Sequence, residues 1–272
     1  MEAVKKYAIS LLLPLGISLS CTTAPQQIDA QAPPASSSQV IEYCESRPAP
    51  EVTNDSIQAV SSRLTNVQNE ARKAAVKVFN PTIGARGTGT YMKYKGHTFI
   101  LTSAHVVDGP INAMMVRTPA GEEVSAFVVY KVLNERSDFA VLALEAPLET
   151  RTAMKLKIAE GSEDLIGQSV AYSGFPGSHR LMSMFGTIAG IEFNGNYVLH
   201  SYAWPGASGS AIFDSKGKLV GVLRAIDLDY VGDYQVPQLI EDIVWVSPAH
   251  SIDLEKIDTI MKIITLINTL EE

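Results

Sequence analysis

Cysteine is nearly absent from the chain: Cys21 and Cys44 are the only two in 272 residues. A disulfide framework is therefore excluded, and the fold must stand on a buried core. Charged residues are also few, 19% against 46% hydrophobic, which excludes a disordered chain or a coiled-coil rod. No unit of about 20–45 residues recurs, so a solenoid is excluded as well. Positive charge is scarce, with 22 Lys and Arg against 29 Asp and Glu and a net charge of −7. No basic stripe exists, so no nucleic-acid partner is expected. His97, His179, His200 and His250 show no paired metal-ligand spacing. Neither a metal nor any other cofactor is expected.

Long apolar runs are missing except for one at the start. Lys5 and Lys6 precede Tyr7 to Ser20, fourteen uncharged residues ending at Cys21. The run is shorter than the about 20 residues a bilayer span needs, and residues 1–20 read as a signal peptide. Ser18-Leu19-Ser20-Cys21 resembles the lipobox of bacterial lipoproteins, with Ser18 where that motif usually has leucine. The resemblance implies export across a bacterial inner membrane to the periplasm or envelope, with a lipid on Cys21 as membrane anchor. Plain signal cleavage and a retained anchor are the alternatives. If Cys21 is acylated, Cys44 has no partner within the chain.

Residues 21–52 read as a flexible tether. From Ala24 to Gln39, fourteen of sixteen residues are Ala, Pro, Gln or Ser, a composition that buries too little to offset ordering entropy. Asn54 or Asp55 then caps an expected helix over 53–74, with Ile57, Val60, Leu64, Val67, Ala71 and Ala74 on one face. Its apolar spacing lasts under three heptads. Docking on the following domain is one use of that face, and an oligomer formed through this helix is the other.

The period then changes. Ala75–Phe79, Gly89–Tyr94 and Thr98–Thr102 are short β-favouring runs, with Lys95-Gly96-His97 as a hairpin turn between two of them. Runs at Glu123–Tyr130, Ala140–Leu144, Ser169–Ser173, Gly186–Glu192, Asn196–Ser201, Ser210–Phe213, Lys218–Ala225 and Ile243–Val246 continue the spacing. The body is all-β, a barrel or a sandwich. Leu254, Ile257, Met261, Ile264 and Ile267 form a stripe in an expected closing helix from Ser251 to Leu270.

Three segments carry candidate chemistry. His105 follows the apolar run Leu101 to Thr102, Asp138 stands at the mouth of Phe139 to Leu144, and Ser208 lies in Pro205-Gly206-Ala207-Ser208-Gly209. A carboxylate at a strand mouth is costly to bury unless something donates to it. Glycines beside a serine let the backbone turn tightly and approach a ligand. Each segment alone is weak. In the order His, Asp, Ser, spaced by 33 and 70 residues in an all-β body, they resemble the trypsin-like (chymotrypsin-fold) serine peptidases.

The likeness extends to Val170–Gly177, Phe185–Ile188, Gly217–Val222 and Val244–Pro248, which resemble segments of the HtrA/Deg group. It covers Ala75 to Leu270. The residues after Pro248 are too few for the PDZ domain common in that group.

This resemblance implies two six-stranded antiparallel β-barrels over 75–272, with a helix at each end and the active site between them. It implies a serine endopeptidase acting on protein or peptide substrates. His105 is then the base, Asp138 its orienting partner, Ser208 the nucleophile, and the N–H groups of Gly206 and Ser208 the oxyanion hole.

A substrate pocket is implied between Tyr202, Ala203 and Trp204 on one wall and Arg224, Ala225 and Ile226 on the other. Tyr202, where trypsin has an aspartate, is expected to fill the base and leave room for small or apolar side chains. Arg224 pairs with Asp138, attracts acidic substrate residues, or faces solvent. A crippling effect of Arg224 gives the alternative function: a weak or inactive protease-fold lipoprotein acting as a binding or assembly factor.

Overall fold

The structure, a computed structural model, describes residues 63–161, 163–231 and 236–271. The expected signal peptide, the lipidation expected at Cys21, the expected tether and the helix caps expected at Asn54 and Asp55 lie outside those residues.

The first helix is shorter than its apolar stripe suggested. α1 (Asn66–Ala74) starts at Thr65, whose hydroxyl accepts from Gln68 N–H while the Gln68 side chain accepts from Thr65 N–H. This reciprocal capping box satisfies two N–H groups left over at a helix start. Residues 63 and 64 form a turn and bend, so the expected helix over 53–74 does not run through unbroken. Ala71 and Ala74 are buried against the body, and Arg72 donates to Leu181 O and Ser183 Oγ. The apolar face of α1 is thus taken up by its own chain.

Barrel one contains β1 (Ala75–Asn80), β2 (Ala85–Tyr94), β3 (His97–Thr102), β4 (Ala113–Arg117), β5 (Glu123–Leu133) and β6 (Asp138–Leu144). They run in the order β1-β4-β5-β6-β3-β2, and β1 pairs with β2 to close the ring. A short β7 (Met154–Lys155) adds in parallel to β2. Barrel two closes as β10-β13-β12-β11-β8-β9, formed by β8 (Ser169–Gly174), β9 (Met182–Ile191), β10 (Tyr197–His200), β11 (Ala211–Asp214), β12 (Leu219–Val231) and β13 (Val236–Pro248). These are the two six-stranded antiparallel barrels expected.

Each barrel has its own apolar filling. Phe99, Ile100, Phe139 and Leu142 are fully buried in the first, and Tyr172, Ile188, Leu199 and Val244 in the second. Burying one such side chain is worth about 1.5–3 kcal/mol. The β2–β3 turn is the residue pair Lys95 and Gly96, both at positive φ, and His97 already belongs to β3. β4 and β7 were not expected from the sequence, and β12 and β13 extend well beyond the runs that announced them.

α2 (Leu254–Glu271) closes the described chain, starting three residues later than expected. Ile257 and Met261 are buried against barrel one, whereas Ile267, expected on the same stripe, is 48% exposed. Asp258 ties the helix to the β2–β3 turn through Lys95 at 3.0 Å and pairs within the helix with Lys262 at 2.8 Å. Hydrogen bonds from Lys262 and then Lys95 hold the Asp258 carboxyl below its ordinary range.

Candidate active site

β3 delivers His105 and β6 opens on Asp138, and the two side chains meet. Asp138 is buried, with its side chain 2% exposed. Its Oδ2 lies 2.6 Å from His105 Nδ1, and its Oδ1 accepts the His105 backbone N–H at 3.0 Å. A buried carboxylate needs donors. An ionised carboxylate only accepts, so Nδ1 carries the proton and Nε2 is left as an acceptor. The Asp138 N–H donates to Ser247 Oγ at 2.9 Å, which fastens the start of β6 to barrel two.

Ser208 stands on the loop between β10 and β11, half-buried. The carbonyl of Leu223 ties this loop to the histidine segment. It accepts from Ser103 Oγ at 2.7 Å, two residues before His105, and from Gly209 N at 2.8 Å, one residue after Ser208. Gly209 has φ +91, and a side chain there would overlap the Thr88 carbonyl and the Thr102 hydroxyl. The structure therefore brings His105 and Asp138 into contact and ties the Ser208 loop to the histidine segment through the Leu223 carbonyl. Within the described residues Ser208 Oγ makes no hydrogen bond, to His105 or to any other group.

The backbone of this loop is held by its carbonyls. Trp204 O accepts from Ala207 N, Pro205 O from Gly177 N, Gly206 O from Thr88 Oγ1, Ala207 O from Ser210 N and Ser210 Oγ, and Ser208 O from Thr88 N. Five consecutive carbonyls are thus occupied. Within the described residues the N–H groups of Gly206 and Ser208 donate to nothing. Two free donors on a turn with fixed carbonyls suit an incoming oxyanion. Gly206 has φ +103, and a Cβ there would lie 2.6 Å from Phe175 O.

Thr88, Ser103 and Ser247 were not read from the sequence. Each acts through a hydroxyl or N–H on the backbone of a distant segment, a pairing that spacing does not reveal. Ala207 is fully buried in the core of barrel two.

The expected substrate pocket is only partly assembled. Ala203 is fully buried in the core of barrel two and lines no open surface. Tyr202 is 44% exposed, so its ring does not plug a pocket base. The carbonyl of Tyr202 instead accepts the hydroxyl of Tyr172, whose pKa burial pushes up to about 12. Trp204 and Ile226 are half-buried and Ala225 is exposed. Arg224 does not face solvent: its Nε is 3.9 Å from Asp138 Oδ2, and its Nη1 donates to Glu135 O at 2.9 Å. Among the described residues no helix is long and apolar enough to cross a membrane.

A family profile described as "Trypsin-like peptidase domain" matches residues 87–222, half of the chain and the whole span from His105 to Ser208. No curated protein matches the chain in sequence. Among solved structures, a serine endoprotease from Yersinia pestis aligns at 22% identity and TM-score 0.55, over 72% of this chain and 65% of that one. An inactive form of Rv3671c from M. tuberculosis aligns at 19% identity and TM-score 0.52, over 75% and 90%. The HtrA-type protease AlgW, with a tripeptide, aligns at 22% and TM-score 0.54, over 72% and 62%. This chain therefore spans about two thirds of the length of the Yersinia protein and AlgW. At these identities the likeness establishes the fold.

Proposed function

Because this chain belongs to the family of trypsin-like peptidases, we propose that it is a serine endopeptidase working through His105, Asp138 and Ser208. A serine hydroxyl is a weak nucleophile at neutral pH and needs a base. His105 Nε2, the free acceptor, takes the proton as Ser208 Oγ attacks the carbonyl carbon of the scissile bond. The carbonyl oxygen gains negative charge and is met by the N–H groups of Gly206 and Ser208. Asp138 holds the tautomer and stabilises the imidazolium. The proton then passes to the leaving amine, the C–N bond breaks, and an ester on Ser208 remains. Water, deprotonated by His105, releases the acid product.

One observation carries this reading: the 2.6 Å contact of His105 with a buried carboxylate, on a segment tied to the Ser208 loop through the Leu223 carbonyl. Catalytic hydrogen bonds of this kind tighten on substrate, and the bond from Ser208 Oγ to His105 Nε2 forms in the substrate complex. The acyl-side residue of the substrate runs along Trp204 and Ile226, the half-buried residues of the two expected walls. The place of work is the cell envelope, with a lipid on Cys21 that the mass of the mature N-terminus reports.

A fluorophosphonate probe tests the reading. It labels an activated serine, so the full chain takes up the label and Ser208→Ala does not. A well-folded wild-type chain that stays unlabelled overturns it. One feature favours the second reading, a weak or inactive binding factor: Arg224 brings a positive charge within 3.9 Å of the carboxylate that must stabilise an imidazolium. That reading requires both missing label and missing peptide cleavage.

A further inference from the structure

A cleft of about 320 Å³ opens against Gly206 and shares none of the residues assigned to the acyl-side pocket. Its walls are Lys77 and Phe79 of β1, Arg86 of β2, Arg117 of β4, and Phe175 beside the Ser208 loop. Three of its side chains are cations and none is an acid. The cleft borders Gly206, an assigned oxyanion donor, and includes none of Tyr202 to Trp204 or Arg224 to Ile226, which assigns it to the chain on the other side of the scissile bond.

The cations are placed by strand geometry. Successive residues of a strand point to opposite faces. Val76 and Val78 go into barrel one, which leaves Lys77 and Phe79 half-buried on its outer surface. Lys77 lies directly opposite Arg117 across β1 and β4, and Phe79 opposite Arg86 across β1 and β2. Like charges placed opposite each other work against the sheet.

Arg117 is relieved by an ion pair with Glu123. Lys77 and Arg86 have no carboxylate within salt-bridge reach among the described residues. Aromatic faces hold both instead: Lys77 Nζ is 5.1 Å from the Phe175 ring centre and Arg86 Cζ is 5.6 Å from that of Phe79. Cation–π contacts of this kind fix a charge without neutralising it. Phe175 also touches the oxyanion loop, since its carbonyl is the atom that a Cβ on Gly206 would strike.

We infer that this cleft binds a carboxylate on the leaving-group half of the substrate, one or two residues past the cleaved bond, through Lys77 and Arg86. The inference rests on the peptidase reading. The chain as a whole carries −7 and repels acids at long range, so a preference for one must come from these local cations. Asp, Glu and a free chain end all carry the group. An acidic side chain makes the enzyme an endopeptidase with a downstream acid requirement, and a free end makes it a trimmer of short tails.

Matched peptides separate these outcomes. One pair differs as Glu or Gln at the first position after the cleaved bond, a second pair at the next position, all with amidated ends. A third pair carries Gln at both positions and ends there as acid or amide. The acid member of at least one pair is cleaved about tenfold faster in kcat/KM at low salt, the scale of two partly screened cations. The advantage shrinks at about 1 M salt, where the screening length is about 3 Å. Arg86→Gln, on an exposed side chain, lowers the ratio, and adding Lys77→Gln brings it close to one. Because each ratio is taken within one enzyme, a general loss of rate cancels.

Preference for Glu assigns the side chain, and preference for the free acid alone assigns the chain end. Equal cleavage of every pair by the wild type overturns the inference and leaves the peptidase reading intact. A ratio that survives both substitutions overturns the assignment to these residues. Failure to cleave any peptide, together with missing fluorophosphonate label, removes the peptidase reading and this inference with it.

Discussion

The two barrels hold their halves of the site by opposite means. Barrel one fixes His105 with side-chain acceptors: both oxygens of Asp138 are used, one by the ring and one by the backbone. Barrel two fixes the serine loop with its main chain, through five bonded carbonyls and glycines where no side chain fits. Each half is fragile in its own way. The first fails when a donor or acceptor changes identity at constant shape. The second fails when shape changes at constant polarity.

Asp138→Asn should give the largest effect. The amide keeps the volume, yet its NH2 and oxygen cannot both serve His105 as the carboxylate does, and the imidazole is pushed to the wrong tautomer. We expect kcat to fall on the order of 10⁴-fold, as orienting carboxylates of this kind show. Steady-state kinetics check it. A loss below tenfold would show that the half built on side chains does not depend on them.

Gly206→Ala comes next. The added Cβ lies 2.6 Å from Phe175 O at a φ of +103, so the peptide must rotate and carry its N–H away. Loss of one oxyanion donor costs about 10²–10³ in kcat. A positive φ for a residue with a Cβ also costs roughly 1–2 kcal/mol, read as a lower unfolding midpoint in denaturant. Full stability together with lost activity would show a loop that yields locally while its carbonyl ties persist.

The same contrast governs how much could be read in advance. The His105–Asp138 contact was legible because both residues stand at strand mouths, and the Ser208 loop because glycines mark its turn. The two-barrel architecture followed from the family resemblance, and its β content from alternation alone. β4 was missed because Ala113-Met114-Met115-Val116-Arg117 is short and methionine signals strand only weakly. β2 begins at Ala85, earlier than read, because Gly87 and Gly89 look like turn residues yet lie in extended backbone. The capping box of Thr65 and Gln68 was visible, but the apolar stripe from Ile57 pulled the helix start upstream. Thr88, whose N–H and hydroxyl hold Ser208 O and Gly206 O, could not be found, since its partners are over a hundred residues away.

Arg224 crosses between the two halves, and its replacement should have the smallest effect. It reaches from β12 of barrel two to Asp138 and Glu135 of barrel one. At 3.9 Å its Nε is a weaker partner for Asp138 Oδ2 than His105 Nδ1 at 2.6 Å, so the imidazole and not the guanidinium sets the carboxylate. The carbonyl of Glu135 would keep a donor without it, because Asn196 Nδ2 reaches that oxygen at 2.9 Å. The turn before Asp138 is also held by Asn134, whose side-chain oxygen accepts from the N–H groups of Arg136 and Ser137. What Arg224 adds to the pair is positive charge, which opposes an imidazolium. Arg224→Ser should therefore leave kcat/KM unchanged or raise it by up to about threefold, the size expected of a partly screened charge. A tenfold loss would mean that barrel one does not orient its own carboxylate, and the division between the two halves would have to be redrawn with Asp138 held jointly.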